Sequence, residues 1–447
     1  MASRRQSLVT GKSLAARHLC FMAKTLTDDL IYDWNRLEGP EWPAGRVPLL
    51  NDETLRDGLQ SPSALDPPTE KKIRILHLMD ELGINTLNIG LPGAGERAKA
   101  DALRLAKEIV SAQLRIRPNC AARTVESDIR PIADIAQAAG IEIEAATFLG
   151  SSPIRQYTEG WTLDFLLRTT ERAVKYACSL GLRSMYVTED TTRAQPETIK
   201  KLYTTAIECG ARSIVVCDTV GHATPRGTRA LLKFVIEEVV RPTGEPVRID
   251  WHGHRDRRMG LPNSLAAFAA GVDCVHASAL GIGERVGNTA MDQLMVNLKL
   301  MGAIDRDLRK LKDYCYAVAE AFGVPVPANY PVFGADAFRT ATGVHAAAVI
   351  KAYQKHDTEL ADRVYSSVPS HWFGLEQRIE VGPMSGKSNV IFWLHQHGVQ
   401  PSNGLVDRIF TRAKHADRVL TEAELIDLCR DSTPETEDKK RRATGGQ

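Results

Sequence analysis

A regular alternation of short apolar runs and amphipathic helical segments fills residues 47 to about 302, and it is the feature that most constrains the fold. Eight runs have the length of buried strands: 47–51, 86–89, 114–121, 141–147, 184–188, 213–217, 247–252 and 274–279. Helical segments separate them, for example at 70–82, 128–139, 163–180 and 226–240. Eight β/α units in roughly 250 residues predict an α/β fold, a TIM (β/α)8 barrel.

Glycines support this division of the chain. Gly83, Gly140, Gly181, Gly210 and Gly271 each close a helical segment before the next apolar run, the usual place for glycine just past a helix C-terminus. A doubly wound sheet would suit the same alternation. The first strand, however, lacks the G-x-G-x-x-G loop that follows the first strand of dinucleotide-binding sheets.

The pattern divides the chain into four parts. We expect an N-terminal arm over 1–45, the catalytic barrel over 46–302, a smaller helical accessory region over 303–431 and a disordered tail over 432–447. Residues 1–24 are basic and contain no acidic residue. This composition resembles a transit peptide, but we interpret the segment as a solvated arm.

Composition narrows the class of protein. The chain has 447 residues, 43% hydrophobic and 25% charged, with a net charge of +2, which are values of a globular protein that binds neither nucleic acid nor a membrane surface. No apolar run approaches the ~18 residues of a membrane span. The eight cysteines form no C-x-x-C pair, which suits reduced thiols and predicts a cytoplasmic protein.

Polar side chains gather where the predicted strands end. His252 and His254 lie two residues apart at the end of a strand, so their imidazoles point the same way and form half of a divalent-metal site. The C-terminal ends of the strands form the functional face of a TIM barrel. We therefore expect one site from the following residues: Arg56, Asp57, Asn88, Thr147, Glu189, Asp218, Thr219, His252 and His254.

Four motifs in order carry a family resemblance. They are Leu55-Arg56-Asp57-Gly58-x-Gln60, His252-x-His254, Gly281-Ile282-Gly283-Glu284-Arg285-Val286-Gly287-Asn288 and Thr342-Gly343-Val344-His345-Ala346. Together they resemble the 2-isopropylmalate synthase and homocitrate synthase branch of the DRE-TIM metallolyases. The resemblance runs from about residue 47 to at least residue 386.

The resemblance implies a Claisen-type condensation of acetyl-CoA, the co-substrate, with a 2-oxo acid held on a divalent metal. It implies that Asp57, His252 and His254 are metal ligands and that Asn288 supplies another oxygen at or near the metal. Two imidazoles with a hard oxygen suit Mg²⁺ or Mn²⁺, and Zn²⁺ is the alternative.

The same resemblance implies roles for other residues. Arg56 would stabilise the enolate or alkoxide, and Glu189 would serve the acid/base chemistry. His345 and Tyr365 would come from the accessory region of the partner subunit, in a homodimer that exchanges these regions. The substrate-binding positions would be Gln60, Asn88, Arg155, Thr219, Gly283 and Glu284.

Each of these assignments has a purely structural alternative. Arg56 could form an ion pair with Asp57 or Glu53, and the carboxylate of Glu189 could lie on the surface or cap a helix. Arg155 could be an exposed loop residue. His345 stands among alanine and valine, which is typical of a packed histidine.

The chain departs from the family pattern at three places. Asn88 replaces the usual glutamate of the second strand, which leaves the charge partner of Arg56 open. Arg255 follows the histidine pair where asparagine is usual. Ala346 and Ala347 replace a Gln-Asp pair of the isopropylmalate synthases. We interpret these changes as signs of an atypical substrate.

Three classes of function remain. The first is an acyltransferase with 2-oxoisovalerate as substrate, or with 2-oxoglutarate if Arg155 binds a second carboxylate. The second is a lyase of the hydroxymethylglutaryl-CoA type. Its glycine loop carries a cysteine, which 281–288 lacks. The third is a non-catalytic binding subunit.

Overall fold

The protein is built around a closed barrel of eight parallel strands. The computed structural model describes residues 30–36 and 45–430, so the basic segment 1–24, interpreted as a solvated arm, and the tail 432–447 lie outside the described residues. The strands are β1 Leu49–Asp52, β2 Thr86–Asn88, β3 Arg117–Arg123, β4 Glu144–Gly150, β5 Arg183–Glu189, β6 Ser213–Asp218, β7 Arg248–Gly253 and β8 Cys274–Ala277. Each strand pairs with its neighbour in sequence, and β8 pairs with β1. The predicted TIM barrel is confirmed.

Helices cover the outside of the barrel and return the chain to the start of each strand. They are α1 Thr69–Glu81, α2 Glu96–Ser111, α3 Glu126–Ala139, α4 Pro153–Glu159, α5 Leu163–Ser179, α6 Pro196–Glu208, α7 Pro225–Phe234, α8 Gly260–Ala270 and α9 Met291–Leu300. Helix α7 continues through a wider turn, Val235–Val240, into Arg241–Thr243. At the end of α3, Gly140 has a φ of 68° and its N–H donates to the carbonyl of Ala136. A side chain would be strained in this conformation, so glycine stops the helix there.

Side-chain alternation decides what faces the barrel axis. On β5, the outward Tyr186 is fully buried against the helices, whereas Met185 and Val187 point into the barrel. On β7, Trp251 is buried outward while Asp250 and His252 point inward. The register then sets inward residues of neighbouring strands side by side, which places the site at the C-terminal end of the barrel.

The chain beyond the barrel is mainly helical, as expected. Its helices are α10 Leu311–Phe322, α11 Gly343–Gln354, α12 Thr358–Arg363, α13 Lys387–Gln396, α14 Asn403–Lys414 and α15 Glu422–Arg430, and two short strands, β9 Arg339–Thr340 and β10 Arg378–Ile379, pair in parallel. Helix α10 packs on α1 and shares the core of the barrel, whereas α11 to α15 form two small apolar cores of their own. Within 30–36 and 45–430, no helix is long and apolar enough to cross a membrane.

Candidate active site

Three potential metal ligands converge at the mouth of the barrel. Asp57 follows β1, and His252 and His254 end β7, where strand alternation directs both imidazoles the same way. The Nε2 atoms of the two histidines are 3.2 Å apart, and Oδ2 of Asp57 lies 3.4 Å from the first and 3.8 Å from the second. All three side chains are buried. Three donor atoms this close, on three buried residues, can share one ion.

The electrostatics of the three residues suit a cation. Burial alone would raise the pKa of Asp57, but the charges of Arg56 and His252 outweigh it and hold the pKa well below 3.8. Burial and the neighbouring His252 lower the pKa of His254 to about 3. An ionised carboxylate and a neutral imidazole are the forms that bind metal. The chemistry of the donor set therefore fits a divalent ion.

The glycine loop 281–288 closes over Asp57. The N–H of Glu284 donates to Oδ1 of Asp57 at 3.1 Å. A Cβ at Gly283 would lie 3.0 Å from that oxygen and 2.5 Å from Nδ2 of Asn288, so glycine is needed for this close approach. The backbone of Asn288 forms an isolated antiparallel β-bridge with that of His254. Among the described residues, the buried Oδ1 of the Asn288 side chain has no hydrogen-bond partner. That oxygen is available to a ligand.

Two arginines hold the loop in place. Arg255 donates from Nε to the carbonyl of Val286 at 2.8 Å. Arg285 forms two hydrogen bonds with Asp256 and one with the carbonyl of Thr219. The arginine that departs from the family pattern after the histidine pair thus tethers the glycine loop.

Arg56 has a charge partner on its own loop. Its Nε is 3.0 Å and its Nη2 2.5 Å from Oε2 of Glu53, and its Nη1 is 3.1 Å from both Asp57 and Gln60. Burial would raise the pKa of Glu53, but Arg56 and then His276 outweigh it and bring the pKa to about 2. The ion pairs considered as an alternative role for Arg56 do form. They also replace the missing glutamate at Asn88, whose own Oδ1 accepts the N–H of Gly90.

A buried histidine that the sequence analysis did not single out lies beneath the triad. His276 on β8 faces Glu53 through Nδ1, at 3.2 Å, and Asp250 through Nε2, at 3.1 Å. Burial alone would lower the pKa of His276, but its hydrogen bonds to Asp250 and Glu53 raise it well above 6.5. The signal in the sequence is one charged residue in the middle of an otherwise apolar strand, Val275-His276-Ala277 and likewise Ile249-Asp250-Trp251.

The triad borders a cavity of about 140 Å³ that has two unlike halves. The strands β7, β8, β1 and β2 contribute polar groups, among them Glu53, Arg56, Asn88 and His276. The strands β3 to β6 contribute mainly apolar side chains: Ala121, Ala146, Phe148, Met185, Val187, Val215 and Cys217. Sequence patterns could not separate this wall from ordinary core, because its residues are those of any buried strand.

Two further predicted residues line the edge of the apolar half. Burial raises the pKa of Glu189, at the end of β5, although the charge of Arg155 opposes the shift. Thr219 follows β6, and its Oγ1 accepts the N–H of Asp190 at 2.8 Å. Gln60 and Glu284 are exposed at the opposite rim. All four residues line the cavity.

Arg155, Thr147 and Asp218 do not line the cavity. Arg155 pairs with Glu159 at 3.0 Å and lies over the ring of Trp161. Thr147 points away from the barrel axis because Ala146 and Phe148, its neighbours on β4, point inward. The carboxylate of Asp218 accepts hydrogen bonds from the backbone N–H groups of His222 and Ala223 and from the hydroxyl of Thr192. The expected convergence of Thr147 and Asp218 on the site is therefore wrong.

His345 and Tyr365 lie in the accessory region and do not line the cavity either. Their rings stack on each other with centroids 4.2 Å apart, and both side chains are exposed. A separate cavity of about 810 Å³ in the accessory region is lined by neither residue. Within the described chain, the stacked pair is thus free to contact another molecule.

The chain is similar to known proteins along most of its length. The HMGL-like family matches residues 48–316. A homocitrate synthase from Methanopyrus kandleri is 31% identical over 370 residues, covering 82% of this chain and 87% of that protein. A 2-isopropylmalate synthase from Sediminispirochaeta smaragdinae is 28% identical over 367 residues, covering 81% of this chain and 70% of that protein. The HMG-CoA lyase structure from Bacillus subtilis aligns at a TM-score of 0.54 with 21% identity, over 65% of this chain and 97% of that chain, which concerns the fold alone.

Proposed function

This chain belongs to the HMGL-like family, and from that premise we propose that it condenses acetyl-CoA with an aliphatic 2-oxo acid. The methyl carbon of acetyl-CoA bonds to the ketone carbon of the oxo acid, and water then hydrolyses the thioester, which releases CoA and leaves a 2-alkylmalate-type product. The observation that carries the proposal is the two-sided cavity. Asp57, His252 and His254 converge beside Arg56 on its polar half, and the facing half is apolar.

A divalent cation fits the polar half. Asp57, His252 and His254 would hold it, and the unpartnered Oδ1 of Asn288 is a further oxygen beside them. Mg²⁺ or Mn²⁺ suits this mixed set, and Zn²⁺ is the alternative. When bound, the metal polarises the ketone of the oxo acid as a Lewis acid.

The chain's own residues supply the remaining chemistry. Glu189 would accept a proton from the thioester methyl group, and burial raises its pKa, which makes it a stronger base than a solvated carboxylate. Arg56 uses four of its five N–H groups on Glu53, Asp57 and Gln60. The remaining N–H would stabilise the oxyanion that develops from the ketone.

The lining of the cavity favours a short aliphatic side chain on the substrate. The apolar wall from β3 to β6 contains no cation, and a second carboxylate there would lie beside Glu189 without a partner. We therefore infer 2-oxoisovalerate as the substrate. The similarity to a homocitrate synthase keeps 2-oxoglutarate as the second candidate, with Arg155, whose charge acts on Glu189, as the cation proposed for its far carboxylate.

We infer further that the enzyme is a cytoplasmic homodimer. His345 and Tyr365 stack on the surface of the accessory region, away from the cavity of their own chain. Exchange of accessory regions would bring them to the partner's site as acid/base groups.

A thiol-release assay tests the activity. The protein, with Mn²⁺ or Mg²⁺, is incubated with acetyl-CoA and a panel of 2-oxo acids, and free CoA is followed with a thiol reagent. We expect release with 2-oxoisovalerate above the rate without oxo acid, and its abolition in Arg56→Gln. Acetyl-CoA formation from a hydroxyacyl-CoA, with no condensation on the panel, would instead support the lyase. No turnover in either direction would leave a binding subunit.

A further inference from the structure

We propose that His276 is a positioning residue for Arg56, because it anchors the carboxylate of Glu53 in the orientation that binds the guanidinium. This inference rests on the proposed function and assigns His276 the task of orienting a reacting group rather than of reacting itself. It explains how Arg56 is held although β2 carries Asn88.

The two carboxylate oxygens of Glu53 have different partners. Oε2 accepts both N–H groups from Arg56, at 3.0 and 2.5 Å. Oε1 accepts an N–H of Asn51 at 2.7 Å and faces His276 at 3.2 Å. Because Oε1 is fixed from below, Oε2 is fixed toward Arg56.

His276 is itself held from the other side. Its Nε2 faces Oδ2 of Asp250, which also binds Arg248 at 3.0 Å. Arg248 continues to Glu144 at 2.9 Å. The two ring nitrogens of His276 thus face carboxylate oxygens on opposite sides, so the ring is held between Asp250 and Glu53.

Glu53 belongs to a continuous chain of polar contacts that ends at the triad. Glu144, Asp250, Glu53 and Asp57 alternate along it with Arg248, His276 and Arg56. Without the imidazole at 276, Oε1 of Glu53 would lose one of its two contacts, and Asp250 would lose its link to Glu53.

Position 88 on β2 could hold a second carboxylate partner for Arg56. Asn51 pairs with Thr86 and Asp52 with Leu87, so Glu53 and Asn88 follow at adjacent positions on β1 and β2. Both side chains line the cavity beside Arg56. A carboxylate at 88 could therefore bind Arg56 without help from His276.

This geometry defines the test. His276→Gln keeps a polar side chain of similar size but cannot donate to both carboxylates. We expect it to lower kcat by about tenfold to a hundredfold, as is usual for residues that orient an active group, while Mn²⁺ affinity, measured by calorimetry, stays within a factor of three (about 0.7 kcal/mol). The control His222→Gln changes an exposed histidine outside the cavity and should leave both unchanged.

The decisive variant is the double substitution His276→Gln/Asn88→Glu. Recovery of most of the lost kcat supports positioning, because a general structural defect at 276 would not be repaired from β2. No recovery in a double variant that folds and binds Mn²⁺ overturns the inference. If His276→Gln does not fold, His276→Asn with and without Asn88→Glu makes the same comparison.

An activity-independent measurement separates this inference from the proposed function. In a crystal structure of His276→Gln, we expect the Arg56–Glu53 hydrogen bonds to be lost or lengthened beyond 3.5 Å. An unchanged Arg56–Glu53 pair overturns the positioning role even if the wild-type protein condenses no 2-oxo acid. Wild-type turnover alone decides the proposed function.

Discussion

Tyr314 of α10 donates a hydrogen bond to Asp52, the last residue of β1, and the two side chains are completely buried. The hydroxyl of Thr54 lies 3.2 Å from the hydroxyl of Tyr314. The backbone N–H of Thr54 donates to Oδ1 of Asp52 at 2.8 Å. This contact joins the first helix beyond the barrel to the strand that leads into Arg56 and Asp57. It places a carboxyl group where water cannot reach it.

Asp52 gives the stability a predictable dependence on pH. Burial raises its pKa from 3.8 to about 6. Below about pH 3 the carboxyl is neutral in both states; as pH rises through about 6, it ionises first in the unfolded chain, which weakens folding by about 3 kcal/mol for two pKa units. Asp52→Asn should therefore be more stable than the wild type at pH 7.5, by up to that amount, with the advantage shrinking toward pH 4.

Urea unfolding at several pH values measures this difference. Tyr314→Phe is the matched control: it removes a hydrogen bond to the ionised carboxylate and should destabilise the protein at pH 7.5 by about 1–3 kcal/mol. Parallel stability curves for the wild type and Asp52→Asn between pH 4 and 7.5 would contradict the assignment.

Metal binding should depend on the triad. His252→Ala, His254→Ala and Asp57→Asn each remove one ligand and should lose stoichiometric metal and nearly all turnover. Mn²⁺ at a hundred times its Kd should stabilise the wild type by about 2.7 kcal/mol and these variants by much less. Thermal unfolding with and without Mn²⁺, together with metal analysis, measures both effects. A variant that retains full metal and full turnover would show that its residue is not a ligand.

Arg155→Ala should not discriminate between substrates. Arg155 pairs with Glu159 and lies over Trp161, outside the cavity, so we expect similar kcat/KM changes for 2-oxoglutarate and 2-oxoisovalerate. Steady-state kinetics on both acids checks this. A selective loss of about 1–3 kcal/mol for the diacid would instead show that Arg155 binds its far carboxylate and would favour the homocitrate reaction.

Complementation tests the exchange of accessory regions. His345→Ala and Arg56→Ala subunits should each be nearly inactive as homodimers. A mixed dimer should recover up to half of the activity of the wild-type dimer, because one of its two composite sites keeps both residues. Activity of purified, differently tagged heterodimers measures this. If a verified heterodimer recovers nothing, each subunit completes its own site.

Much of the fold and the triad can be predicted from the sequence because their signals are local. Apolar runs and the glycines that end helices predict every end of the eight strands to within three residues. The two-residue spacing of His252 and His254 is enough to predict that their side chains point the same way. The accessory helix α11 is less visible, because the side chain of Thr342 makes no capping hydrogen bond and Val344 is exposed in its first turn.

The rest of the site depends on register between distant strands. His276 meets Glu53 and Asp250 only because β8 lies between β1 and β7 with His276 beside Asn51 and His252. No local pattern specifies that meeting. Thr147 shows the opposite case, because its place near a strand end was clear from the sequence but the direction of its side chain was not.

The two halves of the cavity should differ in how well they tolerate substitutions. The polar groups on β7, β8, β1 and β2 depend on one another, so a change in one of them disturbs several. The small residues on the other side, such as Ala121 and Ala146, line the apolar half of the cavity and are not part of the triad. A descendant of this chain could therefore acquire a different oxo acid by exchanging a few methyl groups there, while inheriting the machinery of carbon–carbon bond formation intact.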